Sequence, residues 1–304
     1  MERILVTGSS GFIGSHIVRQ ALAKGHHVIA LGKSRMPSFS HPNCTSYMID
    51  LLDKDALDRC VSKERPTVIS HHASTTSFVY ESLSMMQSLP LDTIASINLL
   101  NAAVAHNVRQ FVFASSASVY SPTIRGACTE DGVIHPTSPL GISKLSIEYY
   151  CQYFQSQTKL SCCILRYFNV YGPGQRQGEQ AGIVPNIIRK AIEKSTLTVF
   201  HNGEQTRDFV YVEDVARANL AVVTANAGGI FNVGSGKEVS INTLITSVEK
   251  LMRRKIKVVY IPKSVASLRS VAAIERIQKE VKWKPRKPLA KGLKETIAYY
   301  QKTR

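Results

Sequence analysis

The chain has 304 residues, 44% hydrophobic and 20% charged, the composition of an ordinary globular protein long enough for one large domain or two unequal lobes. Lys and Arg number 38 against 22 acids, a formal charge of +16. The basic residues are scattered, with modest clusters at 250–255 and 282–287 and no aromatic interleaving, so a generally basic surface is expected and nucleic-acid binding is not. No apolar run approaches the roughly 18 residues that cross a bilayer. A strand pattern starts within three residues of Met1, leaving no room for a signal peptide. Cys44, Cys60, Cys128, Cys151, Cys162 and Cys163 show no paired spacing. The expectation is a cytoplasmic protein with idle thiols, no metal site and no membrane partner.

Apolar runs of strand length fall at 4–6, 28–31, 46–49, 68–70, 111–114 and 164–167, with helix-length segments between them, such as 14–24 and 91–106. This alternation predicts an α/β fold: a Rossmann-type doubly wound parallel sheet with helices on both faces. After Tyr171 the rhythm weakens, and Gly, Pro and polar residues cluster from 172 to 182. The break divides the chain into a dinucleotide-binding domain over 1–170, rejoined by parts of 207–236, and a smaller substrate-binding lobe over 171–304. Such a lobe lies over the carboxyl ends of the strands, where open α/β sheets bind ligands.

The first strand runs into Thr7-Gly8-Ser9-Ser10-Gly11-Phe12-Ile13-Gly14 and then into a helix pattern. One glycine permits the tight turn, one lets backbone approach a pyrophosphate, and one lets helix and strand pack closely. The helix amino terminus offers free N–H groups and partial positive charge to the phosphates. A dinucleotide is therefore expected along Gly8, Ser10, Gly11, Phe12, Ile13 and Gly14. The second strand ordinarily ends in an acid that holds the adenosine ribose. Here it ends in Gly32-Lys33-Ser34-Arg35. With no carboxylate to repel a 2′-phosphate, Lys33 and Arg35 favour NADP over NAD, unless they form only a solvated basic loop. Asp50 and Leu51 end the third strand, an acid and an apolar residue suited to flank an adenine.

Further motifs follow in order: His71-His72-Ala73-Ser74, Ser115-Ser116-Ala117-Ser118-Val119-Tyr120, Leu165-Arg166-Tyr167-Phe168-Asn169-Val170-Tyr171-Gly172-Pro173-Gly174, Arg207-Asp208-Phe209-Val210-Tyr211-Val212-Glu213-Asp214-Val215, Phe231-Asn232-Val233-Gly234-Ser235-Gly236 and Trp283-Lys284-Pro285. Together with the glycine turn they resemble the extended short-chain dehydrogenase/reductases, in the branch of nucleotide-sugar epimerases and dehydratases. The resemblance covers nearly the whole chain. It implies that a sugar hydroxyl is oxidised by hydride transfer to the nicotinamide, and that the transient ketone permits epimerisation, dehydration or reduction. His72 and Ala73 match the segment beside the cofactor. Ser116 matches the residue that orients the sugar hydroxyl, and Lys144 the lysine that holds the ribose and lowers the pKa of a catalytic tyrosine. Asn169 and Arg207 match residues that grip a sugar diphosphate, Lys263 and Arg269 are further diphosphate candidates, and Val184-Pro185-Asn186 fits a segment around the nucleotide base. Glu130-Asp131 matches an acidic pair before the catalytic helix. The other expectation for Arg207 is an ion pair with Asp208 or Asp214.

The departure that matters is Leu140, in Ser138-Pro139-Leu140-Gly141-Ile142-Ser143-Lys144, where the family has its tyrosine. Leucine exchanges no proton, and positioned acid–base catalysis contributes ~10² to 10⁴-fold. Either another side chain supplies the proton (Tyr80, His72 and Tyr120 are the candidates), or the protein binds without turnover, or the chain is an altered variant. Asp92 stands where the family commonly has Asn, and Lys263-Ser264-Val265-Ala266 replaces an Arg-Pro-Gly-Asp loop. The expected function is an NAD(P)-dependent nucleotide-sugar epimerase, dehydratase or reductase with an atypical centre. The alternative is a catalytically degenerate NAD(P)- and ligand-binding regulatory protein. The expected partner is a nucleotide-diphosphate sugar, and relatives suggest a homodimer through helices over 91–106 and 144–157.

Overall fold

The computed structural model describes residues 1–36, 38–74, 83–178, 181–262 and 268–303, with the backbone alone for 83–90. The first half alternates β1 (Arg3–Thr7), α1 (Phe12–Ala23), β2 (His27–Gly32), β3 (Cys44–Met48), α2 (Lys54–Glu64), β4 (Val68–His71), α3 (Leu83–Ala105), β5 (Gln110–Ser116), a 3₁₀ turn (Ala117–Val119), α4 (Pro139–Gln157) and β6 (Ser161–Tyr167). The second half contains β7 (Asn169–Tyr171), α5 (Ile183–Glu193), β8 (Leu197–Phe200), β9 (Thr206–Arg207), β10 (Phe209–Tyr211), α6 (Val212–Ala225), β11 (Gly229–Val233), β12 (Val239–Ser240), α7 (Ile241–Met252), β13 (Val258–Ile261), α8 (Glu275–Val281) and α9 (Leu289–Lys302).

Seven strands form one sheet in the order β11-β6-β5-β4-β1-β2-β3, every neighbouring pair parallel. The reversal of direction between β1 and β4 puts the carboxyl ends of both beside the glycine turn, where a doubly wound sheet binds its ligand. The central strands read as continuous apolar runs because both faces are covered: six of the seven residues of β5 are buried. One face packs α1 and α6 with Ile17, Val18, Val215, Leu220 and the Trp283 ring. The other packs α2, α3 and α4 with Leu57, Val61, Leu99, Leu100, Ile147 and Cys151.

Local chemistry sets the helix starts. The Asp53 side chain accepts a hydrogen bond from the Ala56 N–H at 3.0 Å and opens α2. Ser138 accepts from Gly141 at 3.1 Å and opens α4, with Pro139 in its first turn. Two boundaries differ from the periodicity. β3 begins at Cys44 rather than 46, because pairing with β2 starts at Val28–Cys44, and half-exposed edge residues carry little apolar signal. α3 begins at Leu83 rather than 91 and continues through Pro90, a residue that ordinarily ends a helix.

After β6 the chain leaves the sheet to build a second core from α5, α7, α9 and β8, around Ile187, Leu244, Leu293 and Tyr300. It returns as β11 along the free edge of β6. Among the described residues no helix is long and apolar enough to cross a membrane. None of the six cysteines is paired, and all but Cys44 are buried.

Candidate functional site

The glycine turn is a close-packed joint. Gly8 has φ +63°, and a Cβ there would stand 2.8 Å from the Ala73 nitrogen and the His72 carbonyl carbon, so the end of β4 lies directly against the turn. A Cβ on Gly11 would stand 3.0 Å from the Gly8 carbonyl oxygen, and one on Gly14 would overlap that oxygen outright. The amino terminus of α1 has no side-chain cap and no acid in its first turn. Its N–H groups at Phe12, Ile13 and Gly14 are thus left to an external acceptor, which fits a pyrophosphate. His72 and Ala73 are fixed here by their backbone N–H groups, each donating to Thr7 Oγ1 at 3.0 Å.

At the adenosine end the four residues separate. The Lys33 ammonium pairs with the Asp50 carboxylate at 2.9 Å, and this hydrogen bond holds Asp50 below its ordinary pKa. Arg35 donates to the Ser10 carbonyl at 3.4 Å. Leu51 is buried in the core, its carbonyl accepting from Asn98 at 3.0 Å.

The chemical end is built where β5 meets α4. Ser116 ends the strand and shares a 2.5 Å hydrogen bond with the Ser118 hydroxyl. Helix α4 touches this turn through Gly141, whose missing side chain leaves room for the Ser118 carbonyl. One helical turn therefore carries half-buried Leu140 and, four residues on, half-buried Lys144 beside the serine pair. The Lys144 ammonium lies 4.9 Å from the centre of the Phe113 ring. Burial lowers its pKa, and the charges of Asp92 and Glu148 oppose that shift. Asp92 is 8% exposed and accepts from the Ser74 hydroxyl at 2.6 Å.

Two of the three candidate proton donors are engaged elsewhere. His72 Nε2 shares a 2.9 Å hydrogen bond with the Tyr167 hydroxyl, and burial lowers its pKa to about 3. The Tyr120 hydroxyl donates to Asn232 at 2.7 Å and accepts from Arg166 at 3.0 Å, and burial pushes its pKa up to about 12. Tyr80 lies outside the described residues, as do Lys263 and the rest of 263–266.

On the substrate side, segments 206–208 and 268–270 run side by side, Thr206 donating to Leu268 at 2.9 Å and Asp208 to Ser270 at 2.9 Å. This brings Arg207 of β9 and Arg269 onto neighbouring segments. Arg207 donates to the Thr206 carbonyl at 2.7 Å; Arg269 pairs with Glu238 at 2.7 Å. Asp208 is fully buried, and its carboxylate accepts from Ser235 and from the Gly236 and Ala272 N–H groups. Asn169 is held to the Asp208 carbonyl at 3.1 Å. Near the start of α5, the buried Asn186 Oδ1 and Gln175 Oε1 have no hydrogen-bond partner among the described residues, so both are acceptors that could serve a ligand.

Residues 4–234 match the model of the NAD dependent epimerase/dehydratase family. The chain belongs to that family. It is similar to the UDP-glucose 4-epimerase of Thermotoga maritima, solved with UDP-glucose, at 31% identity and TM-score 0.92, covering 99% of each chain. It is similar to the UDP-glucose 4-epimerase of Thermus thermophilus, solved with NAD, at 29% identity and TM-score 0.90, covering 98% of this chain and 99% of that one. Among curated relatives, the UDP-N-acetyl-alpha-D-glucosaminuronate decarboxylase of Bacillus cytotoxicus is 29% identical, covering 99% of this chain and 98% of the relative.

Sequence reasoning missed the buried network beneath the site of this epimerase/dehydratase-family chain. Arg166 is 2% exposed on β6 and pairs with the fully buried Glu148 of α4 at 2.7 Å. Its other nitrogen donates to the Tyr120 hydroxyl and to the Glu130 carbonyl at 3.0 Å. Glu130, read from the acidic pair, accepts from the Asn232 N–H at 2.9 Å, while exposed Asp131 pairs with Arg276. The available signal was an arginine inside a buried strand, which demands a carboxylate partner. Glu148, one turn after Lys144, was in position to supply it.

Proposed function

We propose that this chain binds NAD and a UDP-sugar and converts the sugar through transient oxidation at a ring carbon, in a centre built on Ser116 and Lys144 with Leu140 in the tyrosine position. The observation that supports it is the joint at Gly141, where the helix carrying Leu140 and Lys144 rests on the turn carrying Ser116 and Ser118. When bound, NAD supplies the hydride acceptor. The serine pair orients a sugar hydroxyl. His72 and Tyr120 are engaged in buried hydrogen bonds, and among the described residues Lys144, its pKa lowered by burial, supports the role of proton-exchanging group best. Arg207, Asn169 and Arg269 hold the diphosphate, Arg269 by sharing its charge between Glu238 and the ligand.

The preference for NAD over NADP rests on the Lys33–Asp50 pair, which neutralises the first cation offered to a 2′-phosphate, and on the NAD-bound relative. The uridine base rests on the relatives named with UDP-sugars. Six unpaired cysteines fit a reducing compartment, the cytoplasm. A homodimer is supported by the outer face of α4, where Ile142, Tyr149 and Tyr153 form an apolar stripe 58%, 60% and 62% exposed.

The test is incubation with NAD or NADP and a panel of UDP-, dTDP-, GDP- and CDP-sugars, followed by chromatography and mass. The expected result is conversion of a UDP-sugar with NAD. Bound cofactor with no conversion of any sugar would replace this reading with the regulatory one.

A further inference from the structure

Arg207 and Asp208 are neighbours in the chain with opposite fates: the arginine stays half-buried, and the aspartate is fully buried. A carboxylate taken out of water is costly unless its oxygens are hydrogen-bonded. Asp208 Oδ1 accepts from the Ser235 N–H and hydroxyl, both at 2.6 Å. Oδ2 accepts from the Gly236 N–H at 2.9 Å and the Ala272 N–H at 3.2 Å. These donors are all neutral, and they come from two segments far apart in the sequence. The fit is close: a Cβ on Gly234 would stand 2.6 Å from Oδ2 and 2.6 Å from the Ala272 Cβ. An amide nitrogen in place of either oxygen would face N–H groups that have nothing to accept it.

The backbone of the same residue makes further bonds. Its N–H donates to the Ser270 carbonyl at 2.9 Å. Its carbonyl accepts from the Asn169 N–H at 3.0 Å and from Asn169 Nδ2 at 3.1 Å. Asp208 therefore ties together the start of β7, the end of β9, the turn at 234–236 after β11, and the stretch 270–272. The diphosphate candidates sit on or beside three of these: Asn169 opens β7, Arg207 ends β9, and Arg269 adjoins Ser270. None of the Asp208 partners belongs to the glycine turn or to α4.

We propose that Asp208 is a positioning residue for the sugar diphosphate: its buried carboxylate fixes the spacing of Asn169, Arg207 and Arg269 without touching the ligand. The inference rests on the proposed role of those three residues in holding the diphosphate. A guanidinium grips phosphate oxygens through a planar fork, which works only at a set distance and angle. Two such forks on separate segments need a common anchor, and the carboxylate is the group that both segments share.

The test is calorimetric titration of the full chain with UDP and, separately, with NAD. Asp208→Asn should weaken UDP binding at least about tenfold, the worth of one charge-assisted hydrogen bond, and leave NAD affinity unchanged. Ser235→Ala removes the hydroxyl bond and keeps the N–H bonds; it should weaken UDP binding severalfold, and it carries the test if the asparagine variant does not fold. In an Arg207→Ala background the Asp208→Asn loss should shrink, because the carboxylate acts through that arginine. Arg207→Ala and Arg269→Ala that both leave UDP affinity intact would remove the diphosphate grip itself. If those variants weaken UDP binding while Asp208→Asn and Ser235→Ala do not, the positioning role alone is overturned. Equal losses of UDP and NAD affinity, or losses that add fully in the double variant, mark a carboxylate that only holds the fold and also overturn it.

Discussion

Gly141 and Ser118 are in backbone contact: the helix that carries Leu140 and Lys144 rests on the carbonyl of the turn that carries the serine hydroxyls, with no space for a methyl group between them. Gly141→Ala should push α4 away from the turn. We expect a stability loss of about 1–3 kcal/mol, typical of overpacking, with a larger proportional loss in sugar turnover than in NAD affinity. Thermal melting and cofactor titration on the same preparation separate the two. Unchanged turnover would mean that this contact does not set the catalytic geometry.

Leu140 is half-buried in the first turn of α4. Leu140→Tyr places a phenol one turn from the Lys144 ammonium, which would favour its ionised form. The expected outcome is a kcat gain of at least about 10²-fold, the lower end of what a positioned acid–base group contributes. Steady-state rates on whichever UDP-sugar the wild type converts check it. No gain would show that the site already has an equivalent group.

Cofactor choice should respond to Asp50. Asp50→Asn frees Lys33 from its 2.9 Å ion pair, so NADP affinity should rise severalfold while NAD affinity changes little. Fluorescence titration with both dinucleotides measures this. A variant with unaltered preference would place the 2′ position away from Lys33.

Acid should destabilise the fold through two imidazoles. His71 is 2% exposed, with Nδ1 2.7 Å from Thr7 Oγ1 and Nε2 2.9 Å from Ser96 Oγ, and burial holds its pKa well below 6.5. His72 is lowered to about 3. In the unfolded chain both take up protons near about 6.5. Between about pH 6.5 and 3 the unfolded state therefore binds more protons, and stability falls as pH falls. The fully buried His71 contributes a slope of up to about 1.4 kcal/mol per pH unit. Calorimetric melting from pH 7 to 5 should show a falling midpoint, and a flat profile would contradict the buried neutral assignment.

The exposed stripe on α4 predicts self-association. Tyr149→Glu with Tyr153→Glu puts two charges on that stripe and should convert dimer to monomer in light scattering, with NAD binding retained. A wild type that is monomeric at all concentrations would remove the basis for the dimer.

Much of the frame was legible because its causes are local. Strand runs such as 111–114 are apolar throughout since both faces are covered, and glycines at 8, 11 and 14 are required by contacts within a few residues or with the adjacent strand. What was not legible depends on partners far along the chain. Lys33 looks like a free cation until β3 brings Asp50 to it. Tyr120 looks like a spare proton donor until Arg166 and Asn232, on two neighbouring strands, claim its hydroxyl. Arg269 looks like a cation with its whole charge to offer until Glu238 is seen sharing it. Residue type shows what a side chain can do, but its neighbours in space decide whether it is free to do it.

The late return of β11 has a consequence for biosynthesis. On the ribosome, β6 emerges with its outer edge open, and the strand that closes it follows only after 171–228 have been made. An unpaired parallel edge is an invitation to wrong partners. The intervening segment has to collapse into its own lobe, or be held apart, before the sheet is finished. Truncations that stop short of residue 233 should accordingly yield aggregating chains rather than a smaller soluble domain.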